Sequence, residues 1–321
     1  MEIGGYFELQ LPVNKQYYPR LIPLNSGRSC LEYILRSDSF SKIYLPFYIC
    51  EVVLEPIHKL KINVEFYSLN NDLTIKDPII LKDFEVLLYV NYFGLMNDYL
   101  ITLSKKHHNL IIDNAQAFFS QPIYNTKTYY SPRKFFGVSD GGYLYTKSPL
   151  NFELDQDTSY QNANYLIARI DVGAEKAYQE FRANEERFSS SGLRRMSKLT
   201  TNILSSIDYA FVKQKREENF QYIHQELGFF NQLNFISKNP SGPMIYPFVT
   251  NKIGLREFLI SKKVYVAKYW DNVTQICPKS SYENILATQL VALPIDQRYG
   301  VNEMKYMVDL VKSYCNPVSY E

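Results

Sequence analysis

Two segments of the 321-residue chain, EVLLYVNYF (residues 85–93) and NLIIDNA (109–115), are apolar almost throughout. A strand covered on one face alternates apolar with polar residues. An unbroken run of β-branched and aromatic side chains instead predicts a strand buried on both faces. Residues 97–107, between the two runs, read as a helix. The same alternation extends over residues 20–150. A helix is expected at 29–36, with Leu31, Ile34 and Leu35 on one face, and a short β-rich run at 42–46. Helical residues 50–60 are interrupted by Pro56, an alternating strand follows at 62–69, and another strand is expected at 141–146. Strands alternating with helices predict an α/β domain around a mostly parallel sheet. Ligands of such sheets sit beyond the carboxyl ends of the strands. The residues after LLYV, after LIID and after the strand preceding Ser26 are therefore the first candidates for a site.

From 151 to 225 the chain becomes richer in charge and helix formers, and strand signals return at 244–250, 262–270 and 289–295, before a final helix at 301–314. This shift predicts a large domain over residues 1–214 and a smaller α+β domain over 215–321.

The formal net charge is only +2 and no dense Lys/Arg block occurs, which argues against a nucleic-acid partner. Cys30, Cys50, Cys277 and Cys315 are scattered without CxxC spacing, as expected of a reduced cytoplasmic protein. The start MEIGGYFELQLP carries Glu2 and Glu8 and lacks the basic, then apolar, pattern of a signal peptide. No stretch approaches the roughly 20 apolar residues of a membrane span. His107 and His108 lack a third candidate ligand and read as solvated, so no metal is expected.

The densest chemical signal lies between Asp113 and Gly142. Asp113 ends an apolar run, and a buried carboxylate needs a positive partner. Lys134 follows in TYYSPRKFFGVSDGG (128–142), among aromatics and beside Arg133. An apolar setting with a neighbouring cation disfavours the ammonium form and frees the amine as a nucleophile. Each residue alone reads more simply as structure: a helix cap for Asp113, a surface lysine for Lys134. Together they are the pair that pyridoxal phosphate needs, a Schiff-base lysine and an acidic partner for the pyridinium nitrogen. Upstream, Asn25-Ser26-Gly27-Arg28-Ser29 precedes a helix, which suits either an ordinary N-cap or a phosphate cradle of backbone N–H groups.

In this order, SGRSCL, IIDNAQA and SPRKFFGVSDGG resemble the DegT/StrS-type sugar aminotransferases, whose segments are SGTxAL, EDAAQA and SFxPxKxLxxxGDGG. Arg195-Met196-Ser197 resembles the family's GxNxRMS block, so the resemblance spans about residues 20–200. It implies the fold-type I architecture, pyridoxal phosphate as cofactor, and transfer of an amino group from glutamate or a similar donor to a nucleotide-linked ketosugar. It also implies a homodimer with the site at its interface. Carried over, Lys134 is the Schiff-base lysine, Asp113 the ring-nitrogen partner and Gln116 the contact to the phenolic oxygen. Gly27, Arg28 and Ser29 form the phosphate turn. Thr128 most nearly matches the serine phosphate ligand, with Ser131 as the alternative. Tyr48, with Phe47 next, is the candidate to stack on the ring.

The chain departs from the pattern at several places. Arg28 replaces a Thr, and Leu193 replaces the Asn that reaches across the dimer, leaving Arg194 or Arg28 to supply that contact. The loop from Lys134 to Asp140 is one residue short. These departures keep open a cofactor-binding member with a non-transaminase or regulatory role. A nucleotide-dependent α/β enzyme would lack the expected GxGxxG or P-loop pattern.

Overall fold

The apolar runs at 85–93 and 109–115 become adjacent strands in the middle of a seven-stranded sheet. The computed structural model describes residues 3–233 and 240–315. Its strands are β1 (Ile22–Leu24), β2 (Lys42–Pro46), β3 (Asn63–Tyr67), β4 (Glu85–Val90), β5 (Leu110–Asn114), β6 (Lys127–Tyr130) and β7 (Gly142–Tyr145). They lie in the order β1-β7-β6-β5-β4-β2-β3. Strands β2 to β6 pair in parallel, and β7 alone runs antiparallel, between β6 and β1. Every residue of β4 and β5 is buried, as their composition predicts. The fold is α/β.

Two expectations fail locally. The run at 85–93 leaves the sheet after Val90, because the Asn91 side chain takes the Met96 N–H (3.0 Å) and Phe93 turns left-handed (φ 58°). Residues 262–270 form no strand. Only Ala267 bridges to Ala292. Tyr269 and Trp270 turn instead toward the large sheet, where Tyr48 Oη donates to the Tyr269 carbonyl (2.7 Å). Strand β6, at residues 127–130, was not anticipated.

A second sheet pairs β8 (Ile245–Val249) with β9 (Leu290–Pro294), antiparallel. The helix Tyr209–Leu227 packs against both β8 and the final helix Val301–Cys315. The expected boundary at residue 215 falls inside that first helix, which runs on without interruption. No helix among the described residues is long and apolar enough to cross a membrane.

The junction of β7 with the first helix (Gly27–Ser37) explains the Gly141-Gly142 pair. A Cβ at Gly142 would lie 2.5 Å from the Ser26 carbonyl oxygen and 2.7 Å from Cys30 Sγ, and Gly141 has φ +126°. The Gly141 N–H donates to the Asn25 carbonyl (2.7 Å). A side chain at 142 must push backbone from backbone, since the clash is not with a flexible tip. Gly142→Ala should lower stability by about 3 kcal/mol, read as a lowered midpoint in thermal or urea denaturation.

Candidate active site

The carboxyl ends of β1, β2, β4, β5 and β6 and the start of β7 share one edge of the sheet, so most of the residues singled out from sequence converge there. Asp113 is in β5, 6% exposed, and accepts the Ala115 N–H at 2.8 Å. Burial raises its pKa, opposed by the charge of Lys134 and the Ala115 N–H. Tyr129 faces it across the β5–β6 ladder. The Tyr129 hydroxyl is buried with no aligned hydrogen-bond partner, and burial and then the Asp113 charge lift its pKa.

Lys134 closes the 3₁₀ turn Pro132–Lys134 and its side chain is exposed. The apolar setting expected from sequence does not surround it. A 3₁₀ turn has three residues per turn, so adjacent side chains diverge. Phe135 and Phe136 enter the core. Arg133 swings away to pair with Glu185 and lies 4.3 Å over the Phe188 ring. Burial brings Arg133 down to about 10. What Lys134 does share is a field with Asp113 and Cys50, since its charge opposes the rise in both pKa values.

Gln116 is 1% exposed. Its Oε1 accepts the Phe93 N–H at 2.9 Å, an N–H aimed by that residue's left-handed conformation. Because the carbonyl end is committed to a donor, the amide nitrogen faces the other way, buried without a partner. Such a donor is costly unless something else accepts from it.

At the phosphate turn, Ser26 caps the helix Gly27–Ser37 by accepting the Ser29 N–H (3.0 Å). The Ser29 hydroxyl is engaged by Ser26 Oγ (3.0 Å) and the Gly192 carbonyl (3.3 Å). Gly27 faces β6: a Cβ there would stand 3.9 Å from Ser131 Cβ and from the Tyr129 ring. Arg28 pairs with Glu55 (3.2 Å).

Two sequence candidates land elsewhere. Thr128 is fully buried inside β6, its hydroxyl 3.1 Å from that of Thr126. Strand alternation puts it on the face opposite Tyr129 and Ser131, so Ser131, and not Thr128, lies at the edge beside Gly27. Tyr48 offers no free ring face either. It is fully buried, 5.0 Å from the Trp270 ring and 5.6 Å from Tyr92. Phe47 stacks on Phe66 at 5.2 Å. Cys50, two residues on, is the partly exposed side chain of this turn.

The DGG and RMS blocks prove to be one structural unit. Asp140, fully buried, accepts the Ser197 N–H (2.8 Å), the Ser197 hydroxyl (2.7 Å) and the Thr200 hydroxyl. Its carboxylate thus joins Ser197 in capping the helix Lys198–Leu204. Just before it, Gly192 and Arg194 fold back on Asn25 (Asn25 Nδ2 to Gly192 O 3.1 Å; Asn25 N to Arg194 O 3.0 Å). Arg194 and Arg187 share Asp157 at 3.8 and 3.5 Å. The Asp296–Arg298 pair is bidentate (2.6 and 2.9 Å). No group of three or more His, Cys, Asp or Glu able to hold a metal occurs among the described residues.

No protein-family model matches the chain, and no curated protein matches it. Solved structures do. The candidate sugar aminotransferase Spr1654 from Streptococcus pneumoniae, in its PMP form, superposes with TM-score 0.65 at 13% identity, over 92% of this chain and 88% of that one. The aminotransferase TlmJ from Streptoalloteichus hindustanus gives 0.66 at 14% identity (92% and 86%). Helicobacter pylori PseC, an aminotransferase of pseudoaminic acid biosynthesis, gives 0.63 at 14% identity (92% and 86%). The chain shares the fold of these aminotransferases.

Sequence reasoning missed one support of the lysine turn. Arg216, fully buried in the helix Tyr209–Leu227, donates to the carbonyls of Pro243 (3.1 Å) and Met244 (3.0 Å) and to Gln297 Oε1 (3.0 Å). Gln297 Nε2 in turn donates to the carbonyl of Phe135 (2.9 Å), the residue after Lys134. The lysine turn is thereby tied to the β8–β9 sheet. A lone arginine in a helical sequence carries no signal of this. Glu55 was missed for the same reason.

Because burial raises the Asp113 pKa, the folded chain holds that proton more tightly than the unfolded chain. Stability contributed by the protonated form is present in acid and lost as pH rises through the window between the ordinary and raised values. Asp113→Asn can still accept the Ala115 N–H, so in the ligand-free protein it should melt higher than wild type at neutral pH. That advantage should vanish below the ordinary carboxylate range. Thermal melts of both proteins across pH check this.

Proposed function

We propose that the chain is a pyridoxal phosphate-dependent aminotransferase. Residues 1–214 carry the cofactor site, and 215–321 form the smaller unit behind the lysine turn. The observation that carries this reading is one constellation at the sheet's carboxyl edge. A buried Asp113 is short of a positive partner, Lys134 stands exposed within its field, and the Gln116 amide nitrogen is buried without an acceptor. These needs fit one planar ligand with a cationic ring nitrogen, an anionic ring oxygen and an amine-reactive carbonyl. The neighbours in fold, aminotransferases by name and one of them a sugar aminotransferase, support the same reading.

Asp113 would hold a proton on the ring nitrogen, and in doing so would itself be held ionised. Gln116 would donate to the ring oxygen. The helix N-terminus at Gly27, with Arg28 and Ser131, would bind the phosphate. Lys134 would hold the cofactor covalently through Nζ, with release of water, and its amine, when free, would take up and return a proton. Pyridoxal phosphate, when bound, supplies an electron sink for the bond that breaks. We assign glutamate or a similar amino acid as donor and a nucleotide-linked ketosugar as acceptor, by resemblance.

We further propose a homodimer. The helix Asn164–Asp171 packs on the turn after Lys134, with Tyr165 Oη donating to the Val138 carbonyl (3.1 Å), and leaves Ile167 and Ile170 62% and 85% exposed. A second copy over this face would cover both the apolar side chains and the open lysine. Sedimentation equilibrium should report a dimer, and Ile170→Glu a shift toward monomer.

One observation favours the cofactor-binding but non-transaminating alternative: Tyr48 is covered by Trp270 and cannot stack on the ring. Spectroscopy separates the two readings. The protein with pyridoxal phosphate should show the visible absorbance of a lysine-bound cofactor, and Lys134→Ala should lose it entirely. Borohydride reduction and peptide mapping should place the label on Lys134. A band unchanged in the mutant, or absent from wild type, overturns the cofactor reading. Loss of the band on adding glutamate supports transamination over binding alone.

A further inference from the structure

The first turn of the helix Gly27–Ser37 carries an arginine turned aside. Arg28 is 18% exposed, and its Nε lies 3.2 Å from Glu55 Oε2 without an aligned hydrogen bond. Glu55, 37% exposed, belongs to the helix Leu54–Lys59 and also accepts the Ser189 hydroxyl at 3.4 Å. Between them opens a cavity of about 360 Å³, whose lining includes Arg28, Ser29, Glu55 and Phe188 and the Lys59–Glu32 ion pair.

Beside Gly27, the buried Tyr129 (3% exposed) has only the Asp113 carboxylate near its hydroxyl and no aligned acceptor, and farther along the same sheet edge the Gln116 amide nitrogen (1% exposed) has no partner. A guanidinium forms its strongest contacts as paired N–H donors to an oxyanion. With Glu55 only a loose contact is made.

We propose that Glu55 is a built-in stand-in for an anionic ligand, holding Arg28 off the helix N-terminus until a phosphate monoester binds there and takes the guanidinium. This rests on the phosphate turn of the proposed cofactor site and adds a residue that sets its affinity. Glu55 competes with the ligand for Arg28, so phosphate binding is weaker than the turn could achieve, and the cofactor is held exchangeably. Arg28 is the recognising group; Glu55 acts only through it.

Calorimetric titration of the full chain with inorganic phosphate, and absorbance titration with pyridoxal phosphate, test this. Glu55→Gln should tighten both by about three- to fivefold, the scale of a partly exposed ion pair. Arg28→Gln should weaken both by about tenfold or more. In Arg28→Gln/Glu55→Gln the Glu55 change should bring no gain, because the two act as one unit. Glu55→Asp, one methylene short with its charge retained, should tighten binding as well, and it serves where the Gln variant folds poorly. Unchanged or weaker phosphate binding in a Glu55 variant that melts like wild type overturns the proposal. So does a double variant that keeps the full gain, since the carboxylate would then act by simple repulsion. If phosphate responds as expected and no lysine-bound band forms, the cofactor reading fails and the Glu55 exchange stands. If the band forms and neither affinity moves, the exchange alone fails.

Discussion

The start of β7 lies so close to the start of the first helix that only hydrogen fits at residue 142, with the Ser26 carbonyl 2.5 Å from where a Cβ would be. This contact sets β7 antiparallel between β1 and β6 and brings three distant segments together. The Gly141 N–H meets the Asn25 carbonyl; Asp140, one residue earlier, caps the helix that begins after Ser197; and the 192–194 segment closes over Asn25. The helix N-terminus at Gly27 is thereby pressed to the carboxyl end of β6, beside Ser131 and Tyr129. Without that approach the helix N-terminus and the lysine turn would not share an edge.

The site built on this frame is poorly satisfied in the free chain. Asp113 is a buried acid with a raised pKa, and Gln116 and Tyr129 each hold a buried polar group without a partner. Two structural networks elsewhere are complete: Asp140 accepts three hydrogen bonds, and Arg216 is satisfied by two carbonyls and Gln297. Buried groups also lack partners at Asn184, Arg187 and Arg256, but those at the sheet edge lie beside a raised-pKa carboxylate, the combination a binding site leaves for its ligand. Arg133 pairs with Glu185 and stacks on Phe188, whereas Arg28 makes only a loose contact with Glu55.

Much of this was legible in the residues. Continuous apolar runs gave β4 and β5, because a strand buried on both faces cannot afford polar positions. The helix start at Ser26 followed from its cap. Asp113, Gln116 and Lys134 stood out as candidates by their order along the chain. The failures have physical causes. Thr128 and Ser131 are both hydroxyl residues near the lysine, and only the phase of β6 shows that one faces the wrong side of the sheet. Residues 262–270 carry strand-like composition, yet Tyr269 and Trp270 are drawn across to Tyr48, and one bridge is all that remains. Tyr48, a reasonable stacking residue by position, is consumed by that same contact.

By itself, then, the sequence determined the α/β class, the two central strands and the residues that meet at the carboxyl edge, since periodicity and glycine placement are local properties. The side to which each of those residues points was decided only in three dimensions. Lys134 is exposed because a three-residue turn fans its neighbours apart, and Arg28 faces Glu55 because two helices far apart in the unfolded chain pack side by side. Such pairings carry no periodicity, so no pattern along the chain announces them.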